Sequence, residues 1–199
     1  HTATAVEIFN LAPDQITKEM RRVAKTVVFG ILYGISPFGL SSTLGVSQQE
    51  AKKYIDAYFE RYAGVKAFLD RTIEEATQRG YVTTILGRRR PIPELASPDQ
   101  TQRSFGERMA VNSPIQGSAA DLIKVAMIAV SKRLKAELTA TKMILQVHDE
   151  LIFETPGKDL EKAKQLVNSE MEATGKQLGL SVPLKVDLGV GRNWREAHP

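Results

Sequence analysis

Residues 143–155 read MILQVHDELIFET. Met143 to Val147 and Leu151 to Thr155 are apolar, β-prone runs, and His148, Asp149 and Glu150 separate them. Such a pair of runs around a short polar interval predicts a hairpin with the triplet at its bend. Downstream, Leu160, Ala163, Val167, Met171, Thr174 and Leu178 recur at helical spacing and mark an amphipathic helix. Leu184, Val186, Leu188 and Val190 then alternate with Lys185, Asp187 and Gly189, the pattern of a half-buried strand.

Before the hairpin the apolar period is 3.6 rather than 2. One long helix is expected from about Ser104 to Leu138, with Pro114 inside it; the lost backbone donor predicts a kink there. The segment from Tyr81 to Gln102 holds Gly87, Arg88, Arg89, Arg90, Pro91, Pro93 and Pro98, which suits a short strand pair or a loop with exposed cations. Ser47 and Glu50 form a capping-box pair opening a helix through Ala51, Ile55, Tyr58, Phe59 and Tyr62. Gly64 is expected to interrupt it, and Val65, Phe68, Leu69, Ile73 and Ala76 carry the pattern on to Gly80. Nearest the start, Thr17 caps a helix from about Lys18 to Tyr33, stopped by Gly34 and Pro37. Helices first, then a small antiparallel sheet flanked by helices, is an α+β arrangement.

Composition narrows the function classes. With 199 residues and 42% of them hydrophobic, the chain can bury a real core, and 25% charged residues argue against wholesale disorder. The formal charge of +4 favours an anionic partner only mildly. The absence of cysteine removes disulfides, thiolate metal sites and cysteine nucleophiles, and fits a reducing cytosol. No apolar run approaches the ~20 residues of a membrane span, so no membrane partner is expected, and no basic-then-apolar leader opens the chain. The first residue is His1 rather than Met, which reads as an excised or incomplete polypeptide.

Three constellations bear chemistry. Arg21, Lys25, Phe29 and Tyr33 stand four apart, so each step drifts only about 40° around a helix and all share one broad face. Two cations followed by two aromatics make a poor core stripe and a good nucleotide stripe, with cations for phosphates and rings for sugar and base. A solvated basic end followed by an apolar packing end is the plain alternative. Arg108, Asn112 and Gln116 repeat the spacing ahead of Gly117-Ser118-Ala119-Ala120 and suit contacts along a duplex minor groove. Equally, the two amides could satisfy backbone groups freed by Pro114. At the bend, Asp149 and Glu150 offer oxygen ligands suited to Mg²⁺; neighbours on a strand point to opposite faces, so only one should bind directly. An ordinary turn aspartate is the alternative there.

Taken together, the three constellations resemble those of the family A DNA polymerases. Residues 21–34, RRVAKTVVFGILYG, look like that family's motif B on the fingers helix, and Val147-His148-Asp149-Glu150 looks like its motif C. Residues 112–121, NSPIQGSAAD, are similar to the palm helix between them. His1-Thr2-Ala3-Thr4-Ala5 resembles the stretch before motif B, and Gly191-Arg192-Asn193-Trp194 the family's ending. The resemblance covers essentially the whole chain and implies a mostly helical fingers region over 1–103 followed by a partial palm over 104–199.

The resemblance also implies roles. Arg21, Lys25 and His1 would hold the triphosphate of an incoming deoxynucleoside triphosphate, with Lys25 counted among the catalytic residues. Phe29 and Tyr33 would pack on its sugar and base, and Phe at position 29 goes with discrimination against dideoxynucleotides. Arg108, Asn112 and Gln116 would contact the primer-template DNA. Asp149 would bind catalytic Mg²⁺, with Glu150 in support and His148 near the primer end. Template-directed DNA synthesis in replication and repair would follow a two-metal mechanism, in which the primer 3′-hydroxyl displaces pyrophosphate. Its second carboxylate belongs to motif A, which precedes the position of His1. The chain is therefore expected to be a fragment that needs the motif A palm strand and the thumb of its parent and is inactive alone. As isolated it would be a non-catalytic DNA- or nucleotide-binding piece. The family implies a bacterial cytoplasm, associated with the nucleoid.

Overall fold

The computed structural model describes residues 1–198. They are mostly helical with two small antiparallel sheets, the α+β arrangement expected. The chain divides into two compact units, His1–Ile115 and the remainder from Gln116.

In the first unit, α1 (Thr2–Phe9) packs on α2 (Lys18–Leu32) and α4 (Gln48–Arg61), and α3 (Pro37–Leu44) packs on α4. The N-cap hydroxyls written in the sequence accept as their chemistry dictates, but the reciprocal half of the Ser47–Glu50 box does not form: Glu50 Oε1 accepts from the Tyr54 hydroxyl at 3.1 Å instead. Thr17 Oγ1 accepts from the Met20 N–H at 3.2 Å, and Ser47 Oγ accepts from the Glu50 N–H at 3.2 Å. Pro37 ends the run after α2 and begins α3, where its missing N–H costs nothing; Ser36 Oγ caps that helix from the Gly39 N–H at 3.1 Å. Ala5, Ile8, Ala24, Val27, Ile31, Leu40, Ala51, Tyr58, Leu69 and Val111 form its core.

The break expected at Gly64 falls at Tyr62, between α4 and α5 (Ala63–Arg79), and Gly64 lies inside α5. Tyr62 leaves the helical region at φ −114°, ψ 55° and holds its ring 4.8 Å from that of Tyr58, so an aromatic contact sets the joint. Beyond Gly80, β1 (Tyr81–Thr83) pairs antiparallel with β2 (Arg89–Pro91), as Tyr81↔Pro91 and Thr83↔Arg89. A second apolar cluster of Ala76, Val82, Ile92, Leu95 and Ala110 sits under this ribbon.

The long helix α6 (Gln100–Glu137) starts four residues before the expected Ser104. Asp99 is the reason: its Oδ1 accepts from the backbone N–H groups of Thr101 (2.6 Å) and Gln102 (3.1 Å). These bonds, that of Gln102 foremost, hold the Asp99 carboxyl below its ordinary pKa. Pro114 lies inside α6, next to the boundary between the two units.

In the second unit, Val130 and Leu134 of α6 and Leu138 just past its end pack with Ala163, Leu166 and Val167 of α7 (Leu160–Gln177), and Met143 and Phe153 of the hairpin close on them. The hairpin is β3 (Lys142–Val147) with β4 (Glu150–Glu154), in the register Val147↔Glu150 and Leu145↔Ile152, with an irregularity between Met143 and Leu145. The strand expected over 184–190 does not form; those residues carry no ladder. Alternation fixes which side chains share a face, but a strand also needs an edge to receive its N–H and C=O groups. Here the Val186 N–H instead donates to the Glu172 carboxylate at 3.3 Å. The chain then closes with the short α8 (Trp194–Ala197).

Candidate functional site

The sequence of α2 places two opposed faces on one cylinder. Ala24, Val27 and Ile31 are 0%, 0% and 3% exposed and fasten the helix to the first unit's core. Full burial of a side chain such as Val27 stabilises by about 1.5–3 kcal/mol, so this underside determines which face looks outward. Facing outward are Arg21, Lys25, Phe29 and, as the C-cap residue, Tyr33, whose N–H donates to the Phe29 carbonyl at 3.0 Å. Phe29 is 43% and Tyr33 48% exposed.

These rings are not scattered exposures. Phe29 and Tyr33 stack at 6.3 Å between centroids, and the His1 ring lies 6.0 Å from that of Phe29. Lys25 Nζ is 5.9 Å from the Phe29 centroid. The result is an apolar, π-faced strip with a cation at its side, a surface that calls for a flat partner carrying negative charge. The cations differ in their commitments. Arg22 is engaged by Glu19, its Nε donating to Oε1 at 3.0 Å, which raises the guanidinium pKa and lowers that of the carboxyl. Arg21 and Lys25 form no ion pair among the described residues.

Arg108 joins this neighbourhood through the turn after α2. Gly34 adopts φ +72°, a conformation that favours glycine, and a Cβ there would lie 2.9 Å from Arg108 Cγ. The Arg108 guanidinium carbon is 5.8 Å from the Phe105 ring and the residue is exposed. Asn112 is half-buried, and Gln116, the first residue of the second unit, is exposed. Neither amide hydrogen-bonds the helix backbone among the described residues; beside Pro114 it is Ser113 Oγ that donates, to the Met109 carbonyl at 2.5 Å. Of the three arginines in the β1–β2 ribbon, Arg89 stands 4.8 Å over the Tyr81 ring and Arg90 donates to Met109 Sδ at 3.5 Å.

The hairpin turn is shorter than the expected polar triplet. Glu150 is already on β4 opposite Val147, so His148 and Asp149 make the whole loop. A two-residue loop needs positive φ to match strand twist, and His148 supplies it at φ 53°, a conformation that costs a side-chain-bearing residue roughly 1–2 kcal/mol. Gln146 Nε2 steadies the turn by donating to the His148 carbonyl at 3.1 Å. All three polar residues are exposed.

The two carboxylates have unlike surroundings. Asp149 has no hydrogen bond or ion pair among the described residues, whereas Glu150 is held by His198 Nε2, at 2.9 Å from Oε2 and 3.0 Å from Oε1. One unengaged carboxylate at a rigid bend fits part of the oxygen shell of a hard divalent cation. No group of three His, Cys, Asp or Glu able to hold a metal converges among the described residues. Sequence reasoning missed His198 and the Gly34–Arg108 contact. Neither leaves a periodic signal, since each joins residues dozens of positions apart.

Comparison with known proteins supplies the context. The model of DNA polymerase family A matches residues 1–196. DNA polymerase I of Bacillus subtilis is 51% identical over 197 residues, covering 99% of this chain and 22% of the relative. The thermostable DNA polymerase I of Thermus filiformis is 48% identical over 197 residues, covering 99% of this chain and 23% of that protein. Among solved structures, the POL domain of Pol1 from M. smegmatis, in complex with DNA primer-template and dNTP, superposes with a TM-score of 0.93 at 42% identity, covering 99% of this chain and 34% of that one. The chain thus spans about a fifth of the length of the curated relatives it matches.

Proposed function

Because the chain belongs to DNA polymerase family A, we propose that it supplies the nucleotide-gripping surface and part of the metal-holding surface of a template-directed DNA polymerase. The observation that carries this reading is the outward strip of α2. Arg21, Lys25, His1, Phe29 and Tyr33 are held exposed by the buried Ala24, Val27 and Ile31. We read residues 1–103 as fingers and 104–199 as the rear of the palm.

The substrates are a deoxynucleoside triphosphate and a primer-template. Lys25 and Arg21, which form no ion pair among the described residues, bind the triphosphate and neutralise the charge that collects on the departing pyrophosphate. Phe29 and Tyr33 orient the sugar and base by stacking, with His1 at the phosphate side. Arg108, Asn112 and Gln116 hold the duplex near the primer terminus, and His148 lies on the primer side of the hairpin. The oxygen chemistry of Asp149 suits Mg²⁺, which when bound supplies charge neutralisation for attack of the primer 3′-hydroxyl on the α-phosphate. Glu150 supports that site. The remaining ligands, the thumb and the motif A strand come from other segments of the longer polymerase, which works on the chromosome in the cytoplasm.

Primer extension by the full-length polymerase tests this. Lys25→Ala and Asp149→Ala should each collapse incorporation, and near-normal rates in both would end the assignment. One observation favours a second reading for the chain alone: no third ligand joins Asp149 among the described residues. The isolated 199 residues should then bind DNA or nucleotide, more weakly as salt rises, without extending a primer. Template-dependent synthesis by a clean preparation would refute that.

A further inference from the structure

We infer that His198 is a positioning residue for Glu150, fixing that carboxylate beside the free Asp149 through the docked α8. The inference rests on the polymerase reading above and goes beyond it by giving the end of the chain a task at the hairpin.

Three independent features direct His198 to this place. First, α8 carries a reciprocal cap: Asn193 Oδ1 accepts from the Glu196 N–H at 3.0 Å, Asn193 Nδ2 donates to Glu196 Oε1 at 3.0 Å, and Glu196 Oε2 accepts from the Arg192 N–H at 2.9 Å. A helix of four residues has almost no intrinsic stability, so this cap determines whether it exists. Second, its backbone settles on two glycines. A Cβ on Gly189 would run into the Ala197 carbonyl, and one on Gly191 would lie 2.5 Å from the Ala197 nitrogen. Third, the Trp194 ring, 6.0 Å from the imidazole and tilted 58°, braces the side of His198 while Nε2 reaches both oxygens of Glu150.

This is much local construction for a side-chain contact whose partners are 49% and 46% exposed. Exposed pairs contribute little to stability. What the pair does instead is remove rotamer freedom from Glu150, a flexible side chain that would otherwise sweep the space next to Asp149. Among the described residues no side chain restrains Asp149, whose backbone position is set by the two-residue turn. The two neighbours are thus directed by different means, one by backbone and one by a tether from the end of the chain.

Single-nucleotide incorporation by the full-length polymerase tests the inference. His198→Ala should lower kcat by about 10- to 100-fold, the usual effect of losing a partner that orients a metal-site carboxylate, and leave KM for the nucleotide unchanged. His198→Gln, whose amide nitrogen stands where Nε2 does, should restore most of the rate, and His198→Asn, which mimics the other ring nitrogen, should not. Adding His198→Ala to Glu150→Gln should cause no further loss. Equal failure of the Ala and Gln variants, or additive effects with Glu150→Gln, would overturn the role. If His198→Ala loses its thermal transition, His198→Gln and His198→Asn, which differ in the ring nitrogen they mimic, carry the kcat-against-KM test. Wild-type rates in His198→Ala beside an inactive Asp149→Ala would sink this inference alone. Full activity in both Asp149→Ala and Lys25→Ala would sink the polymerase reading beneath it.

Discussion

The outward face of α2 and the β3–β4 turn make an instructive pair. The helix face is finished by the chain itself: a buried underside fixes its direction, Thr17 caps it, and cations and rings stand ready in contact with each other. The turn is chemically partial, offering one carboxylate without a partner and one already tethered, with no third ligand among the described residues. Binding surface can be built within one compact unit from helical periodicity. A metal centre would need further donors converging from separate segments, which helical periodicity within one element does not supply.

The largest break in this contrast should come at the turn. Asp149→Ala in the full-length polymerase should lower the incorporation rate by about 10³-fold or more, as expected for a carboxylate that would hold a metal supplying several kcal/mol of transition-state stabilisation; rapid-quench kinetics would read it. Lys25→Ala, on the helix face, should cost roughly 10- to 100-fold in kcat/KM for the nucleotide, as expected for one charge-assisted phosphate contact of about 1.5–3 kcal/mol. A larger loss at Lys25 than at Asp149 would invert the contrast.

Smaller changes sharpen it. Phe29→Tyr should raise dideoxynucleotide incorporation by about tenfold, the effect of one added hydrogen bond near 1.4 kcal/mol, in a competition assay against the deoxynucleotide. Gly34→Ala combines positive-φ strain of roughly 1–2 kcal/mol with displacement of Arg108, so Tm should fall by about 2–8 °C. Arg108→Ala should leave Tm in place and reduce the slope of log K against log salt for duplex binding by about one. The smallest effect concerns Asp99. Its folded pKa lies below the ordinary 3.8, so its share of stability is present above that value and is lost as pH falls through the lowered one. Asp99→Asn, which keeps an acceptor at the cap, should flatten that acid loss in melts recorded across the interval.

Much of this architecture is legible without coordinates because local chemistry decides it. Thr17, Ser47 and the switch from period 3.6 to period 2 at Met143 each announce an element whose first bonds lie within four residues. The helix joint at Tyr62 escapes such reading, because the Tyr58–Tyr62 ring contact outweighs the expected effect of Gly64. The early start of α6 follows from Asp99, a cap hidden in a proline- and polar-rich stretch. The alternating residues 184–190 carry a strand pattern without a strand, since pairing is a property of two segments and a sequence window shows one. At the candidate sites, the shared face of Arg21, Lys25, Phe29 and Tyr33 follows from helix geometry alone. The engagement of Glu150 by His198, 48 positions away, has no local signature.

The brevity of the hairpin loop also constrains how this molecule can change. With only His148 and Asp149 between the strands, an extra residue has to be taken up by a longer turn, by a bulge or by a slip of one strand. One insertion would advance the chain by about 3.3 Å and exchange inward for outward along whichever strand took up the slip. The sheet could survive that accident with its ladder intact, yet its acid would point the wrong way. Variants that respect every side chain can therefore still fail by a single codon.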